Sequence, residues 1–159
     1  RVGRKAVAAM RSMGVALEPC SLPANLTHNF QIAPGTMEIG LGIHGEKGAM
    51  AGPLEPADQV TDRLLDAIQA ELALEAGARV AVLVNGLGAT SFMECHIVAR
   101  RVLQRMEAMG AMVHLAKVGE YVTSLEMAGL SLTLMRLDDE LAGLLDDPAS
   151  SIAWTTPPR

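Results

Sequence analysis

Residues 79–94 read RVAVLVNGLGATSFME, and this stretch sets the class of fold. Its first part, Arg79 to Asn85, is an unbroken, valine-rich apolar run, which predicts a buried strand. Gly86 to Gly88 then supplies a tight turn. Ser91 to Glu94 is spaced as a capping box, which predicts a helix that reaches about Met109. A buried strand that leads directly into a helix is typical of a layered α/β domain.

Hydrophobic spacing and turn residues on both sides of this stretch predict the other elements. The predicted helices are residues 1–12, 57–74 and 138–145, and the predicted strands are residues 15–17, 30–32, 37–43, 112–118 and 130–137. Helices and strands are intermixed, and some strands follow one another directly in the sequence. We therefore expect residues 1–159 to form a single α/β domain, a two-layer arrangement of a mixed sheet with helices packed on it.

Composition excludes several classes of function. The chain has 159 residues, of which 50% are apolar, with a net charge of −5 and 3% aromatic residues. Since no basic block stands out, nucleic-acid binding is disfavoured. No apolar run approaches the roughly 18 residues of a membrane span. Cys20 and Cys95 lie far apart and form neither a disulfide framework nor a CxxC metal site, which indicates a reducing, cytoplasmic location.

The most unusual segment is MEIGLGIHGEKG, residues 37–48. Residues 40–45 fit GxGxxG, but a dinucleotide site needs that motif to open a helix, and no helix is predicted before about residue 57. His44-Gly45-Glu46 fits the HxE of zinc deaminases, yet the required PCxxC does not follow. The segment therefore predicts neither a dinucleotide site nor a zinc site.

His44 is the candidate catalytic residue. Because Gly42 and Gly45 flank it closely, the backbone can approach a ligand and the imidazole is sterically open. A neutral imidazole carries a free lone pair, so it can accept a proton or act as a nucleophile. Glu46 could orient the ring or tune its pKa. The alternative is a loop histidine with no direct role.

The other polar candidates are expected to be structural. We predict His96 inside a helix and His114 inside a strand, with His28 nearer to the signature segment. Residues 85–88 could form a backbone nest for an anion, although a turn is the favoured interpretation. The acidic residues that begin at Asp138 fit a capped, solvated helix better than a metal site.

The segment MEIGLGIHGEKG closely resembles the substrate-binding signature MEIGxGIHGEPG of the dihydroxyacetone kinases, with Lys47 where that family usually has proline. Further blocks are similar to the same family in the same order: GRKAVAAMRSMGVALEPCSLPA (3–24), VNGLGAT (84–90), VGEYVTSLEMAGLSLTL (118–134), DDEL (138–141) and AW (153–154). The resemblance spans nearly the whole chain and is to the C-terminal part of the substrate-binding, DhaK-like subunit or domain.

The resemblance implies a mechanism and a set of substrate-binding residues. His44 would bond to the ketone carbon of dihydroxyacetone, or of a similar short ketose or aldose, as a hemiaminal. Gly42, Gly45 and Glu46 would surround the substrate. The bond would select carbonyl sugars over polyols and hold a terminal hydroxyl for phosphorylation.

The resemblance also implies partners. The GGGSGHEP loop of the family's N-terminal half does not occur here, and the chain opens on Arg1 without a Met, so we expect a fragment that is inactive alone. No cofactor is expected in this chain; ATP or ADP with Mg would bind a separate DhaL-type domain or subunit. A homodimer is also implied. The alternatives are a non-catalytic sugar-binding or regulatory module derived from DhaK, and a degenerate fragment without activity.

Overall fold

The protein, described here by a computed structural model, contains four helices and eight strands within residues 1–24, 28, 30–42 and 48–158, which are the residues the structure describes. In chain order they are α1 Val2–Ala8, β1 Met10–Glu18, β2 Thr36–Ile39, β3 Met50–Pro53, α2 Ala57–Leu72, β4 Arg79–Gly86, α3 Phe92–Met109, β5 Met112–Gly119, β6 Ala128–Arg136, α4 Asp139–Asp146, β7 Ala149–Ser150 and β8 Thr155–Thr156.

Six of the strands form one mixed sheet in the order β3-β2-β1-β6-β4-β5. β4 and β5 are parallel and are connected through α3, as expected for a βαβ unit. β6 lies antiparallel to both β4 and β1, and β1, β2 and β3 continue the sheet with antiparallel pairing. The sheet therefore joins a parallel βαβ half to an antiparallel half at β6. β7 and β8 pair in a separate two-stranded hairpin.

The main core lies between one face of the sheet and helices α2 and α3. Strands β4 and β6 at the centre of the sheet supply alternating valines and leucines to it: Val80, Val82, Val84, Leu130, Leu132 and Leu134. All six are at most 6% exposed. Burying a side chain of this size contributes about 1.5–3 kcal/mol, so this layer dominates the stability of the domain. None of the helices in the described ranges is both long and apolar enough to cross a membrane.

The opposite face of the sheet is covered unevenly. Near one end, α1 and α4 pack against Ala81 and Met135, which alternate with the core-facing residues of β4 and β6. A second, smaller cluster lies beside the signature segment. It consists of Ala16, Cys20, Leu41, Leu87 and Met127, with Phe30 and Ile32 packed against it, and we call it the satellite cluster.

The caps predicted for α3 and α4 are confirmed. The Ser91 side chain accepts the Glu94 backbone N–H, and Glu94 accepts the Ser91 N–H in return, which completes the capping box of α3. Gly110 ends that helix in the left-handed conformation. Asp138 caps α4 by accepting the Leu141 N–H at 2.9 Å. These caps satisfy backbone groups that would otherwise lack partners.

The fold class is confirmed, but several local predictions are wrong. The strand predicted over residues 37–43 ends at Ile39. The first helix ends at Ala8 rather than near residue 12, because residues 10–18 pair along β6 as one long strand instead of a short one at 15–17. Residues 30–32 are not a strand. Residues 50–53, which no propensity signal marked, form β3 because they pair with β2.

Candidate functional site

Strand β2 carries the first part of the signature segment and divides it between two faces of the sheet. Met37 and Ile39 point into the main core, where they are 3% and 5% exposed. Glu38, between them, must therefore point to the opposite face. Its neighbours on the adjacent strands are Ala16 of β1 and Ala51 of β3, both small. The Glu38 carboxylate is therefore half-buried on this face of the sheet, between two alanines.

β2 and β3 form a hairpin whose connection, residues 40–49, we call the signature loop. The Ala49 N–H donates to the Ile39 carbonyl at 2.8 Å, and the Gly40 N–H donates to the Gly14 carbonyl at 2.7 Å. The Gly48 N–H donates to Oε1 of Glu38 at 2.6 Å. The loop is therefore fixed at both ends, by backbone bonds at its start and by a carboxylate at its return.

Two glycines make this close approach possible. Gly40 has φ of +80°, a conformation that favours glycine. At Gly48, an added Cβ would lie 2.5 Å from Cγ of Glu38 and 2.7 Å from the Ile39 carbonyl oxygen. Real Cβ atoms do not approach neighbours this closely. The Gly48 backbone can lie directly against Glu38 only because glycine has no side chain.

The outgoing limb of the signature loop is held by apolar packing. Leu41 is 7% exposed and belongs to the satellite cluster, together with Ala16 and Met127. Gly42, one of the predicted substrate-binding residues, follows it and is half-buried. His44, Gly45 and Glu46 lie outside the described residues. Their assignment to the substrate site stays a prediction, with Gly42 and Gly48 marking the described ends of that stretch.

His28 belongs to a short polar chain beside the satellite cluster. Its Nδ1 lies 3.2 Å from Oγ of Ser21, and the Ser21 N–H donates to Oε1 of Glu126 at 2.7 Å. The Glu126 backbone N–H and then the Ser21 groups hold the pKa of the Glu126 carboxyl below its usual value. His28 is exposed. The chain ties the loop before β2 to the loop before β6.

Asn85, near the end of β4, clamps the loop that follows β5. It is 3% exposed, and its Oδ1 accepts the Tyr121 and Val122 N–H groups, each at 2.8 Å. Its Nδ2 donates to the Val122 carbonyl at 2.9 Å and to Oγ of Ser131 at 3.1 Å.

In the turn after β4, backbone N–H groups bind to carbonyls of the neighbouring chain segment. The Leu87 N–H donates to the Gly129 carbonyl, and the Ala89 N–H donates to the Met127 carbonyl. Since these amides bind protein oxygens, the structure supports the turn interpretation of residues 85–88 over the anion nest.

The remaining histidines have local partners, as expected of structural residues. His96 lies in α3 with Nδ1 2.9 Å from the Phe92 carbonyl, and His114 lies in β5 with Nε2 3.0 Å from Oδ1 of Asp146. Cys20 and Cys95 are buried and are not joined by a disulfide, and burial, followed by the nearby Glu120 carboxylate, raises the pKa of Cys95. In the part of the chain that the structure describes, no three His, Cys, Asp or Glu side chains come together as a metal site.

Glu38 is the residue of this region whose importance sequence reasoning missed. The signal was present, because strand alternation in Met37-Glu38-Ile39 places a charged side chain opposite two core residues. Its partner could not be read from the sequence, since the bond to Gly48 spans the whole signature loop.

The fold and the hairpin define an α/β domain with one glycine-rich loop held at both ends. The family model of the Dak1 domain matches residues 1–153, and the chain belongs to that family. It is 44% identical over 151 residues to the PTS-dependent dihydroxyacetone kinase 2, dihydroxyacetone-binding subunit DhaK, of Listeria innocua, an alignment that covers 95% of this chain and 46% of that protein. The chain spans about half the length of the DhaK subunits it matches.

Two solved structures share the fold. The dihydroxyacetone kinase operon co-activator DhaQ superposes with a TM-score of 0.90 at 30% identity, covering 98% of this chain and 49% of that one. The dihydroxyacetone kinase of C. freundii, in complex with AMP-PNP and Mg²⁺, superposes with a TM-score of 0.85 at 33% identity and covers 98% of this chain and 29% of that one. Relatives of this fold thus include both a kinase and a co-activator.

Proposed function

We propose that the chain is the substrate-binding part of a dihydroxyacetone kinase, which holds a short ketose as a hemiaminal on His44 while a terminal hydroxyl is phosphorylated. One observation carries this proposal. The segment MEIGLGIHGEKG contains most of β2 and most of the signature loop, and bonds at Glu38, Gly40 and Ala49 hold the base of this hairpin. A nucleophile in a loop fixed at both ends can be presented in one geometry, which favours addition to a bound carbonyl.

The addition balances without any further reactant. The imidazole lone pair of His44 forms a bond to the ketone carbon, and the π electrons of the C=O bond move to its oxygen. That oxygen takes up a proton, and the other ring nitrogen releases one. The product is a neutral hemiaminal, and the reverse path regenerates the ketone. Gly42, Gly45 and Glu46 are the proposed neighbours of the bound sugar.

This chemistry supplies specificity. A ketone or aldehyde carbon is electrophilic and accepts a nitrogen nucleophile. Glycerol has the same carbon skeleton as dihydroxyacetone but no carbonyl, so it cannot form the bond. The covalent bond also restricts the terminal hydroxyl of the sugar to a small region, and phosphoryl transfer depends chiefly on such positioning and on charge stabilisation.

The phosphoryl donor belongs, in this proposal, to a separate DhaL-type domain or subunit that carries ATP or bound ADP with Mg²⁺. The C. freundii kinase supports the idea, because it was solved with AMP-PNP and Mg²⁺ and is more than three times as long as the matched region. We also propose an N-terminal DhaK half as a partner, a homodimer as the assembly, and the cytoplasm as the location, since two buried cysteines that are not joined by a disulfide suit a reducing compartment.

A second candidate function is a regulatory module that binds the sugar without phosphorylating it. The TM-score of 0.90 to the operon co-activator DhaQ favours it. Both functions use the same fold, so they differ only in the step after sugar binding. A kinase component passes the sugar to a phosphoryl donor, whereas a regulatory module changes its affinity for a partner when the sugar is bound.

Titration of the protein with dihydroxyacetone, glyceraldehyde and glycerol tests the proposal. We expect saturable binding of the two carbonyl compounds and no binding of glycerol, measured by calorimetry. Equal affinity for glycerol would contradict a carbonyl-based site. An N-terminal DhaK half, a DhaL-type subunit, ATP and Mg²⁺ are then added: formation of a sugar phosphate supports the kinase component, and binding without any phosphate transfer supports the regulatory module.

A further inference from the structure

We infer that Glu38 is a positioning residue for the signature loop, which fixes the place from which His44 meets the carbonyl carbon. The inference rests on the proposed function, because it assigns Glu38 a role in the same site. Glu38 lies on a paired strand of the main sheet, so its backbone is rigid. Its carboxylate reaches from that strand to the returning end of the loop.

The bond between Glu38 and Gly48 has the properties of a strong local restraint. A backbone N–H that donates to a carboxylate makes a charge-assisted hydrogen bond, about twice as strong as a neutral one. The N···O distance of 2.6 Å and the half-buried position of Glu38 both favour it. Because an added Cβ at Gly48 would lie 2.5 Å from Cγ of Glu38, the two residues are also in steric contact.

The restraint acts close to the proposed nucleophile. Gly48 is four positions after His44 in the chain, so the bond to Glu38 fixes the described residue that follows His44 most closely. The backbone bonds at Gly40 and Ala49 would still close the hairpin. Loss of the Glu38 carboxylate therefore leaves the fold intact and removes the side-chain bond that holds Gly48. A looser loop presents its nucleophile less often in the reactive geometry, which weakens the adduct.

Two substitutions separate positioning from acid–base chemistry. Glu38→Gln keeps an oxygen that accepts the Gly48 N–H but carries no charge and holds no transferable proton at neutral pH. Glu38→Ala removes the acceptor. A positioning role requires that glutamine rescue most of what alanine loses, whereas a proton-transfer role requires that both variants fail.

Hydrogen exchange of the Gly48 amide, followed by NMR, tests the structural step without any ligand. We expect the Gly48 amide to exchange about tenfold faster in Glu38→Ala than in wild type, and little faster in Glu38→Gln. The Val82 and Leu132 amides of the central strands serve as internal controls and should keep their protection. Equal protection of Gly48 in wild type and Glu38→Ala would overturn the inference.

Dihydroxyacetone affinity tests the functional step. We expect binding about tenfold weaker in Glu38→Ala and within about threefold of wild type in Glu38→Gln. Glu94→Ala is the matched control, since it removes another carboxylate that accepts a backbone N–H, that of Ser91 at 2.9 Å, outside the signature hairpin. It should leave affinity unchanged.

The outcomes distinguish the two proposals. If wild type binds the sugar and Glu38→Ala binds it equally well, the positioning role is wrong and the proposed function stands. If Glu38→Gln is as weak as Glu38→Ala, the site needs the charge and positioning alone is refuted. If wild type does not bind the sugar, the proposed function fails and the inference fails with it.

Discussion

Gly88 passes so close to Leu125 that a Cβ on Gly88 would lie 1.9 Å from the Leu125 carbonyl oxygen. Both residues have positive φ, +126° at Gly88 and +54° at Leu125. The contact joins the turn after β4 to the loop before β6, and the Ser124 N–H donates to the Leu87 carbonyl at the same crossing. The two loops therefore lock together beside the satellite cluster that supports Leu41 of the signature loop.

Replacing Gly88 with alanine should be severely destabilising. The new Cβ would collide with backbone atoms, and the backbone conformation itself disfavours any side chain. We expect Gly88→Ala to lower the free energy of unfolding by about 3 kcal/mol or more, measured by urea denaturation. Gly143→Ala is the control, because nothing lies within 4 Å of its added Cβ and it sits in α4. It should be neutral or slightly stabilising.

Asn85 should contribute somewhat less to the free energy of unfolding than the close contact between Gly88 and Leu125. Asn85→Ala leaves the Tyr121 and Val122 N–H groups without their acceptor in a part-buried site, which we expect to cost about 2 kcal/mol. Ser12→Ala, which removes a single bond between exposed hydroxyls at Thr133, is the control and should cost less than about 1 kcal/mol. Equal chemical-denaturation midpoints for the two variants would contradict the stabilising role of the Asn85 hydrogen bonds.

The elements that were predicted correctly are those whose local signals agree with one another. In residues 79–94 the apolar run, the glycine turn and the capping box all specify strand, turn and helix, and each was confirmed. The β1 region failed because Met10 has helical spacing from Val2 and Ala6, while its actual partner is Met135 of β6. Pairing across 125 positions of sequence overrode the local pattern.

The candidate site likewise has one part that the sequence predicts and one part that it does not. The glycine-flanked histidine is visible in the sequence because it departs from any helix or strand pattern. The support around it is not visible, because it depends on contacts between distant segments: Leu41 with the rest of the satellite cluster and Gly40 with Gly14. Sequence alone therefore indicates which residue could react but cannot indicate what holds its loop.

Asp62 should stabilise the contact between α2 and α3 in a pH-dependent way. Its carboxylate accepts a bidentate pair from Arg101, at 2.9 and 2.7 Å, and a third bond from Arg105 at 2.7 Å. The Arg101 hydrogen bonds first, and then those of Arg105, hold the pKa of Asp62 below its ordinary value of 3.8. A lowered pKa means that the stabilisation is complete above 3.8 and disappears as the pH falls through the lower folded value.

We expect Asp62→Asn to lower the free energy of unfolding by about 1 kcal/mol at neutral pH. The difference from wild type should shrink once the pH is well below 3.8. Glu71→Gln is the control, since Glu71 is 66% exposed in its pair with Arg11 and should matter less. A loss for Asp62→Asn that stays constant from neutral to acid pH would contradict the assignment.

Gly48→Ala should weaken sugar binding with little effect on the core. The added Cβ displaces the returning limb of the signature loop from Glu38, whereas the sheet and both core helices keep their contacts. We expect dihydroxyacetone affinity to fall about tenfold or more in calorimetry. Gly52→Ala, in β3 of the same hairpin, has nothing within 4 Å of its added Cβ and should bind like wild type. Similar affinities for both variants would contradict the claim that the contact between Gly48 and Glu38 positions the signature loop.

The bond between His44 and the sugar can be observed directly by NMR. Dihydroxyacetone carrying carbon-13 at its ketone carbon is mixed with protein carrying nitrogen-15 in its histidines. We predict a one-bond coupling between that carbon and a ring nitrogen in wild type and in His28→Ala, and none in His44→Ala. A wild-type spectrum without the coupling, or a His44→Ala spectrum that retains it, would contradict the hemiaminal on His44.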